Sequence, residues 1–389
     1  MSLRNRLDDL TEEFQLIQES RKMLAETDRL VKRRNPYQSY NYVVKNKMLG
    51  DADVYRVWNR AGIRQFSSGY PEVAIQEGLD SLRNGRLHRF EQEKVKLDRD
   101  FHSIGATLQV ENYTIVELIG AITLANGVND HILENKTLTG GRITIQRGDW
   151  DGNSGNQSSG NGFNFLGTDN STRIYRIRLM HCRIHDIKDH GVHMQWASAN
   201  FMLNVSVNLP CYEDGFYLQS WIDSRCVRCG ANSSDIELHC EDGSCCSFVN
   251  WYLGGTTGSD EPAQLYINGL DNSEWSNIRV DNPLSDGVEL TGDAIQNLFH
   301  GLHITVSDYP ADNTKDGLVL GTGADFNTFS NFYIGRKRQS FSNDWRYGVN
   351  EGDGEYNAYA CGLIRNCQTG TKTGISGNSK WDTNSIIEV

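Results

Sequence analysis

A short pattern of one asparagine and three apolar residues recurs along the chain and constrains its fold more than any other feature. The pattern, N-x-Φ-x-x-Φ-x-Φ with Φ apolar, begins at Asn200, Asn297 and Asn327, and looser copies extend it over residues 174–364. An amphipathic helix would instead place apolar residues at i, i+3, i+4 and i+7 over ten or more positions. A period of 24 to 30 residues is typical of stacked coils of chain that bury a shared core.

A second series of short alternating segments runs in step with the first, and most of its members begin with glycine. Two short strands per period, each apolar at every second position, predict an all-β fold: a right-handed parallel β-helix, or solenoid. The inward residues assigned to the first series are Ile174, Met202, Cys226, Cys246, Trp275, Phe299, Phe329 and Tyr359. Those of the second series are Phe163, Val192, Phe216, Ile236, Leu265, Val288, Leu318 and Val349.

The amino-terminal residues follow a different pattern. In residues 1–35, apolar side chains from Leu3 to Val31 recur at alternating spacings of three and four, with charged residues between them. This predicts an α-helical coiled coil, and a seam without an internal partner favours oligomerisation and attachment. The alternative is an amphipathic helix that lies on its own β-helix.

Three further segments complete the predicted organisation. Residues 36–70 are aromatic and polar and are expected to form a connector. Residues 71–85 are expected to form a capping helix with an apolar face, because an open solenoid end exposes core and unpaired strand edges. The β-helix is predicted over residues 86–389. The apolar face of the capping helix consists of Val73, Ile75, Leu79 and Leu82.

The charge of the chain limits its partners. Its formal net charge of −12 argues against nucleic acid or an anionic membrane as the main partner, since both favour a basic face. A neutral glycan, a cationic surface or another protein remains open. No run of 18 apolar residues occurs, so we expect neither membrane insertion nor a standard signal peptide.

The nine cysteines are expected to be structural in the repeat region. Cys226, Cys229 and Cys246 fall on interior positions, where cysteine behaves as a small apolar residue. Together with Cys245 they would be a zinc set in the alternative interpretation, but the repeat already explains two of their spacings. We therefore predict no metal site and no cofactor.

The segment Ala74-Ile-Gln-Glu-Gly-Leu-Asp-Ser-Leu82, followed by Ile143-Thr-Ile-Gln-Arg-Gly-Asp-Trp-Asp-Gly152, resembles the opening of the pectate-lyase superfamily. The likeness is to the branch shared by polygalacturonase-like proteins and virus tailspikes, and it covers about residues 71–377. It implies a parallel β-helix, while the superfamily hosts lyases, hydrolases, epimerases and binding spikes. No catalytic residue of the superfamily can be carried over, because its Asn-Thr-Asp, Gly-His-Gly and Tyr-Gly-Phe-Asp-Pro-His motifs have no counterpart in the repeat region.

The outward positions of the second series predict a ligand surface. Residues that follow the inward positions point away from the core, and successive coils lie about 4.8 Å apart, so these side chains form rows. Aromatic faces with amide and carboxylate groups between them can hold sugar rings, whereas the plainer alternative is an ordinary solvated strand face. The predicted ligand-binding residues are His193, Tyr217, Glu237, Tyr266 and Glu289, with Gln195 and Gln219 in a parallel row.

A candidate catalytic group lies in earlier strands. Aligning the strand of Ile145 with that of Leu179 places Asp151 beside His185, and Asp149 on the same outward side. A carboxylate next to an imidazole can serve acid–base chemistry, and glycosidic hydrolysis commonly uses two carboxyl groups. The alternative is turn chemistry, in which aspartate and asparagine bond their own backbone.

These expectations rank three functions. The first is a viral or cell-surface spike that binds host surface glycans as a homotrimer and attaches to other virion proteins through its amino terminus. It overlaps with the second, because a spike can combine binding with cleavage. The second is a glycoside hydrolase or polysaccharide lyase that uses Asp149, Asp151 and His185. The third is a structural decoration of a virion without a ligand.

Overall fold

The computed structural model describes most of the chain beyond the amino-terminal residues. It describes residues 42–49, 52–59, 64–82, 92–98, 101–232, 235–254, 261–306, 314–336, 345–365, 367–383 and 385–388. The predicted coiled coil of residues 1–35 lies outside the described residues. No described helix has the length and apolar character needed to span a membrane.

Nearly all regular structure among these described residues is β, apart from helix α1 (Pro71–Asp80) and a 3₁₀ turn at Ser154–Asn156. The first strands are β1 Tyr42–Leu49, β2 Ala52–Asn59, β3 Arg64–Ser68, β4 Glu93–Leu97, β5 Phe101–Ile104, β6 Leu108–Val110, β7 Thr114–Leu118, β8 Ala121–Leu124, β9 Leu133–Asn135, β10 Gly140–Gly141, β11 Thr144–Gln146, β12 Asp149–Asp151, β13 Phe163–Leu166, β14 Ile174–Tyr175, β15 Arg178–Met180, β16 Arg183–Ile187, β17 Val192–Ser198, β18 Phe201–Leu203 and β19 Ser206–Cys211. The later strands are β20 Phe216–Ile222, β21 Arg225–Val227, β22 Gly230–Asn232, β23 Leu238–Ser244, β24 Ser247–Gly254, β25 Ala263–Asp271, β26 Glu274–Asp281, β27 Asp286–Thr291, β28 Leu298–His300, β29 His303–Val306, β30 Leu318–Leu320, β31 Thr328–Ser330, β32 Tyr333–Arg336, β33 Trp345–Glu351, β34 Ala358–Ala360, β35 Leu363–Ile364, β36 Cys367–Thr373, β37 Lys380–Trp381 and β38 Ile387–Glu388.

Each coil contributes strands to three faces, and every face is a parallel sheet. Face 1 contains β4, β7, β11, β15, β18, β21, the first parts of β24 and β26, β28, β31, β34 and β37. Face 2 contains β5, β8, β12, β16, β19, β22, the second parts of β24 and β26, β29, β32, β35 and β38. Face 3 contains β6, β9, β13, β17, β20, β23, β25, β27, β30, β33 and β36.

The parallel β-helix is confirmed, but the prediction of two strands per coil was wrong. The asparagine pattern spans two strands, on faces 1 and 2, and the turn between them. Its fifth residue makes that turn in the left-handed region, as Asn204 (φ 52°), Gly301 (φ 74°) and Asn331 (φ 52°) do. Asparagine and glycine tolerate this conformation better than other residues, which explains their use at this position.

A stack of aromatic rings fills the inside of face 1. Phe248, Trp275, Phe299, Phe329 and Tyr359 pair in register on successive coils. Their ring centroids lie 4.0, 5.3, 4.9 and 5.3 Å apart, and adjacent ring planes differ by 14° or less. All five side chains are buried. The predicted inward series is therefore confirmed for Trp275, Phe299, Phe329 and Tyr359.

Two members of the first series were assigned to the wrong positions. Phe248, not Cys246, pairs with Cys226 and Trp275 on the inside of face 1. Leu179, not Ile174, pairs with Met202. In both cases the chain contains apolar residues at two nearby positions, so periodicity alone does not select the residue that occupies the strand.

A ladder of buried asparagine and serine side chains links the coils at the corner that leads into face 1. The backbone N–H of Asn297 donates to Oδ1 of Asn327 (2.9 Å), and the backbone N–H of Asn327 donates to Oδ1 of Asn357 (2.8 Å). The Nδ2 group of Asn327 donates to the Ala294 carbonyl (2.8 Å). Cys246 lies at the equivalent corner position one coil before Ser273. The backbone N–H of Cys246 donates to the Ser273 hydroxyl. The asparagine of the sequence pattern thus satisfies corner backbone groups that would otherwise be buried without partners.

The amino-terminal end of the solenoid is covered by strands and by helix α1. β1, β2 and β3 form an antiparallel meander within the segment that we expected to be a connector, and β1 also pairs in parallel with β4. Helix α1 buries Ala74, Ile75 and Leu79, whereas Val73 is 44% exposed and does not belong to the apolar face. The helix touches the meander and β5 and β6, as a capping element should.

The cysteine prediction agrees with the described structure. Cys226, Cys229 and Cys246 are buried, and burial raises the pKa of each of the three thiols. Cys245 is exposed, so these four side chains do not share one environment.

We predict that Asn327→Ala lowers the free energy of unfolding by about 2–4 kcal/mol, because it leaves the Asn297 N–H and the Ala294 carbonyl buried without partners. Urea unfolding followed by circular dichroism measures the change. Asn126→Ala is the matched control, since Asn126 is exposed and accepts one hydrogen bond from Asn153. Equal stability of the two variants would contradict a stabilising role for the ladder.

Candidate functional site

The outward side of face 3 carries one continuous row of polar and aromatic side chains. Strand register pairs Asn164 with His193, His193 with Tyr217, Tyr217 with His239, and His239 with Tyr266. The row then continues through Glu289, Val319 and Asn350. We call these eight residues the face 3 row.

The structure corrects the predicted row at one coil. Leu238, not Ile236, pairs with Phe216 and Leu265, so His239 takes the outward position that was assigned to Glu237. Glu237 is fully buried and cannot contact a ligand. A shift of two residues keeps the in–out alternation unchanged, and for this reason the pattern could not detect it.

Aromatic rings of the face 3 row lie against one another over four coils. Ring centroids are 5.1 Å apart for His193 and Tyr217, 4.8 Å for Tyr217 and His239, and 5.0 Å for His239 and Tyr266. The planes are tilted by 37° to 64°, so the rings present edges and part of their faces outward. These side chains are half-buried, because each covers part of its neighbour.

A second row of amides and a carboxylate lies two residues further along the same strands. Gln195 Nε2 donates to Gln219 Oε1 (2.5 Å), and Gln219 Nε2 donates to Glu241 Oε2 (3.2 Å). The hydroxyl of Tyr217 also donates to Glu241. The predicted residues Gln195 and Gln219 are therefore neighbours, and Glu241 continues their row on the next coil.

Two residues that the sequence did not indicate join the centre of the face 3 row. The ring of His190 stacks on Tyr217 with centroids 4.9 Å apart. Oδ2 of Asp214 lies 3.1 Å from Nδ1 of His239 and 3.5 Å from Nδ1 of His190, while Nε2 of His190 lies 3.2 Å from a carboxylate oxygen of Glu213. His190 and Asp214 precede strands, and only the three-dimensional path of the corner brings them to the row.

Burial sets the protonation of several groups on face 3. It raises the pKa of Glu289 to about 7, and the nearby Asp286 adds to the rise. Burial also lowers the pKa of His193 to about 4, assisted by His190 and His131. Burial and the hydrogen bond to Glu241 raise the pKa of the Tyr217 hydroxyl. Near pH 6, Glu289 is therefore mostly a neutral hydrogen-bond donor, and His193 is a neutral imidazole.

The second candidate group lies on the outward side of face 2. The predicted register holds: Asp149 pairs with Arg183, Trp150 with Ile184, and Asp151 with His185. His185 lies between two carboxylates, with Nδ1 2.7 Å from Asp186 and Nε2 3.1 Å from Asp149. Among the described residues, the ligand atoms of Asp151, His185 and Asp186 lie close enough together to share a metal ion.

Part of this group is occupied by turn contacts. Oδ1 of Asp151 accepts the backbone N–H of Asn153 (2.7 Å), and its Oδ2 accepts the Thr123 hydroxyl (3.2 Å). His185 is therefore oriented by its hydrogen bond to Asp186 rather than by Asp151, while Asp149 lies close to Nε2 without hydrogen-bond geometry. Sequence reasoning paired the correct strands but did not identify Asp186 as the closest carboxylate, since Asp186 reaches His185 by a left-handed backbone conformation (φ 54°).

The aspartates before the strands of face 3 mostly serve the corners. Asp189 accepts the backbone N–H of Gly160 (2.7 Å), and Asp286 accepts that of Asp316 (2.6 Å). Asp316 accepts the backbone N–H of Tyr347 and forms a salt bridge with Arg346. These three aspartates therefore bond backbone groups at the corners.

Solved structures that resemble this chain include two viral proteins and an epimerase module. ORF18 of Geobacillus virus E2 is 11% identical with a TM-score of 0.51, and the match covers 82% of this chain and 57% of that one. A mutant tailspike protein of E. coli bacteriophage HK620 is 10% identical with a TM-score of 0.50, over 93% and 73% of the two chains. The mannuronan C-5 epimerase AlgE6 A-module of Azotobacter vinelandii is 12% identical with a TM-score of 0.44, over 82% and 95%.

These matches confirm the resemblance at the level of the fold, a parallel β-helix of the kind found in the pectate-lyase superfamily and in tailspikes. The chain spans 57% of the length of the Geobacillus virus protein. No protein-family model and no curated protein matches the sequence. Function must therefore be argued from the side chains of this chain.

We predict that the stability contributed by Glu289 is lost as pH rises from about 4.5 to about 7, and that Glu289→Gln removes this contribution. The lowered pKa of His193 contributes in the opposite direction, equally in the wild type and the variant. The folded state holds the Glu289 proton more tightly than the unfolded state does, so deprotonation penalises folding. Melting temperatures measured from pH 5 to pH 8 test this prediction. The melting temperature of Glu289→Gln relative to that of the wild type should rise with pH. Glu274→Gln, an exposed face 1 change, is the control. Parallel profiles for the wild type and Glu289→Gln would contradict the assignment.

Proposed function

We propose that the protein is a spike of a virion or cell surface that recognises host surface glycans through the face 3 row. The observation that carries the proposal is the aromatic series His193, Tyr217, His239 and Tyr266, which runs over four successive coils beside the row of Gln195, Gln219 and Glu241. Sugars present apolar C–H faces and polar hydroxyl groups, and this surface offers partners for both.

The dimensions of the surface suit an extended saccharide. Successive coils lie about 4.8 Å apart, so the distance from Asn164 to Tyr266 is about 19 Å along the axis. Side chains repeat along this distance with the same spacing, which matches a chain of similar units better than one compact ligand. The parallel row of amides fixes hydroxyl groups at the side of the rings.

The charges of the surface favour a neutral or amino sugar. Glu213, Asp214 and Glu241 line its centre, and the chain as a whole has a net charge of −12. A polyanionic glycan would meet repulsion here. Glu289 adds a hydrogen-bond donor for sugar oxygens, because its raised pKa keeps part of its carboxyl group protonated near neutral pH.

The proposal includes assembly. The apolar ladder of residues 1–35 is the sequence feature that supports a homotrimer, with the amino terminus bound to other virion proteins. Such an arrangement would present several copies of the face 3 row to a surface, and multivalent contact raises the apparent affinity of weak individual sites.

We predict that Tyr266→Ala weakens binding to a recognised glycan about tenfold or more, because it removes one of the two tyrosine rings of the aromatic series. A glycan array of neutral, amino and acidic saccharides identifies the ligand, and titration calorimetry measures its affinity. Tyr252→Ala is the matched control, since Tyr252 is an exposed tyrosine on face 2.

The proposal fails if the wild type binds no glycan on the array, or if both tyrosine variants bind equally well. Light scattering on the same full-length preparation tests the assembly. A mass three times that of the chain supports the trimer, and the mass of a single chain contradicts it.

A second function, cleavage of a polysaccharide, is favoured by the contacts of His185. This imidazole lies within 3.1 Å of Asp149 and 2.7 Å of Asp186, on the outward side of face 2. In this alternative, the protein is a glycoside hydrolase or lyase in which His185 and Asp149 move the proton at the glycosidic bond, and Asp151 holds the adjoining turn.

If this alternative holds, Asp149→Asn reduces product release by about a hundredfold or more without changing the melting temperature. Chromatography of oligosaccharides released from a bound glycan measures the rate. Asp353→Asn, at an exposed corner, is the control and should leave the rate unchanged. Binding without any release by the wild type would rule out this function.

A further inference from the structure

Three arginine side chains meet at the corner between faces 3 and 1, away from both candidate groups. Arg142 and Arg176 occupy equivalent corner positions on successive coils, as the hydrogen bond from the Arg142 N–H to the Tyr175 carbonyl (2.9 Å) shows. Arg178 lies two residues beyond Arg176, at the start of β15. We call Arg142, Arg176 and Arg178 the arginine corner.

The backbone of the arginine corner is held in an unfavourable conformation. Arg142 and Arg176 both have φ of 59°, in the left-handed region where a Cβ atom is costly and where glycine or asparagine is preferred. On the next three coils the equivalent corner positions hold Ala199, Asp223 and Cys245 in the same conformation. The corner geometry therefore does not require arginine, so the backbone conformation does not explain why Arg142 and Arg176 occur here.

The charges of the arginine corner repel one another. Burial lowers the pKa of Arg178, and the neighbouring Arg176 and Arg142 lower it further. Among the described residues, no carboxylate lies within ion-pair distance of Arg176 or Arg178. Such a concentration of positive charge is unusual in a chain whose net charge is −12.

The three arginines line one recess in the surface, where Arg176 and Arg178 are exposed. Arg142, Arg176 and Arg178 line a hollow of about 270 Å³ together with Gln92. Gln92 Nε2 donates to the Arg142 carbonyl (2.6 Å), which fixes the wall of the hollow. Arg142 also lies over the ring of Tyr113, 5.6 Å from its centroid, and Tyr113 shares a hydrogen bond with Tyr175. The hollow is therefore built from positioned side chains.

We propose that the arginine corner binds an oxyanion, namely a sulfate, phosphate or carboxylate group, either as a free ion or as a substituent of a glycan. Planar guanidinium groups form paired, charge-assisted hydrogen bonds to such groups, and a bound anion would relieve the repulsion among the three arginines. The inference is independent of the face 3 row, which lacks arginine.

The experiment compares the full-length wild type with the double variant Arg176→Gln/Arg178→Gln. Melting temperatures are measured in chloride and in low-millimolar sulfate, phosphate or acetate at constant ionic strength, and calorimetry with sodium sulfate gives the affinity. We expect the oxyanions to stabilise the wild type and the double variant to bind at least about tenfold more weakly. In chloride alone, the double variant should melt at or above the wild-type temperature, because like-charge repulsion is removed.

Arg225→Gln is the matched control. Arg225 is exposed on the same outward side of face 1, two coils beyond Arg178, and the variant should keep the full response to sulfate. If the double variant does not fold, Arg178→Lys keeps the charge but loses the paired geometry and should still weaken binding. An equal response to sulfate in the wild type and the variant, or no response in the wild type, overturns the proposal.

The source of the anion is tested with the same proteins. Galactose 6-sulfate and glucuronate are compared with inorganic sulfate and acetate. Tighter binding of the sugar-borne groups identifies a glycan substituent as the ligand, and equal binding identifies a free ion.

Discussion

The in-register stacking of one coil on the next is the constraint on which every other feature depends. Parallel strands satisfy the backbone within each face, but the corners between faces leave N–H and C=O groups buried where no strand continues. Asn297, Asn327 and Asn357 solve this problem with side-chain amides that bond the adjacent coil. The aromatic stack from Phe248 to Tyr359 fills the space beside them. Each coil is thereby fixed in height and rotation relative to the next.

That fixed register produces the candidate site. Because inward residues are held in columns, the outward residues between them are also held in columns, and chemically similar side chains can be repeated along the axis. The face 3 row uses this property: His193, Tyr217, His239 and Tyr266 are separated in sequence yet form one surface. A rigid sheet holds these groups in place before a ligand binds, so less conformational entropy is lost on binding.

The sequence predicted the architecture better than it predicted individual positions. Phe299 and Phe329 carry strong signals, because asparagine, glycine and apolar residues recur around them with a constant spacing. Glu237 was misplaced because a two-residue shift leaves alternation intact, and Cys246 was misplaced because Phe248 was an equally apolar choice. His190 and Asp214 each precede a strand-opening glycine, but this spacing does not show which corner side chains fold back onto the strand face.

The regular stacking of coils also arranges the corner residues, which do more than connect the faces. A corner residue in the left-handed region points its side chain outward on every coil, so corners form columns as regular as those of the strands. The column that contains Arg142 and Arg176 continues through Ala199 and Asp223 in the same conformation, so the backbone leaves the choice of side chain open. The acidic surface around Asp214 and Glu241 and the cationic hollow at Arg178 lie on different parts of one coil stack. A solenoid can therefore hold opposite charges apart on rigid positions, and a ligand with both neutral sugar rings and an anionic substituent would distinguish the two surfaces by its own chemistry.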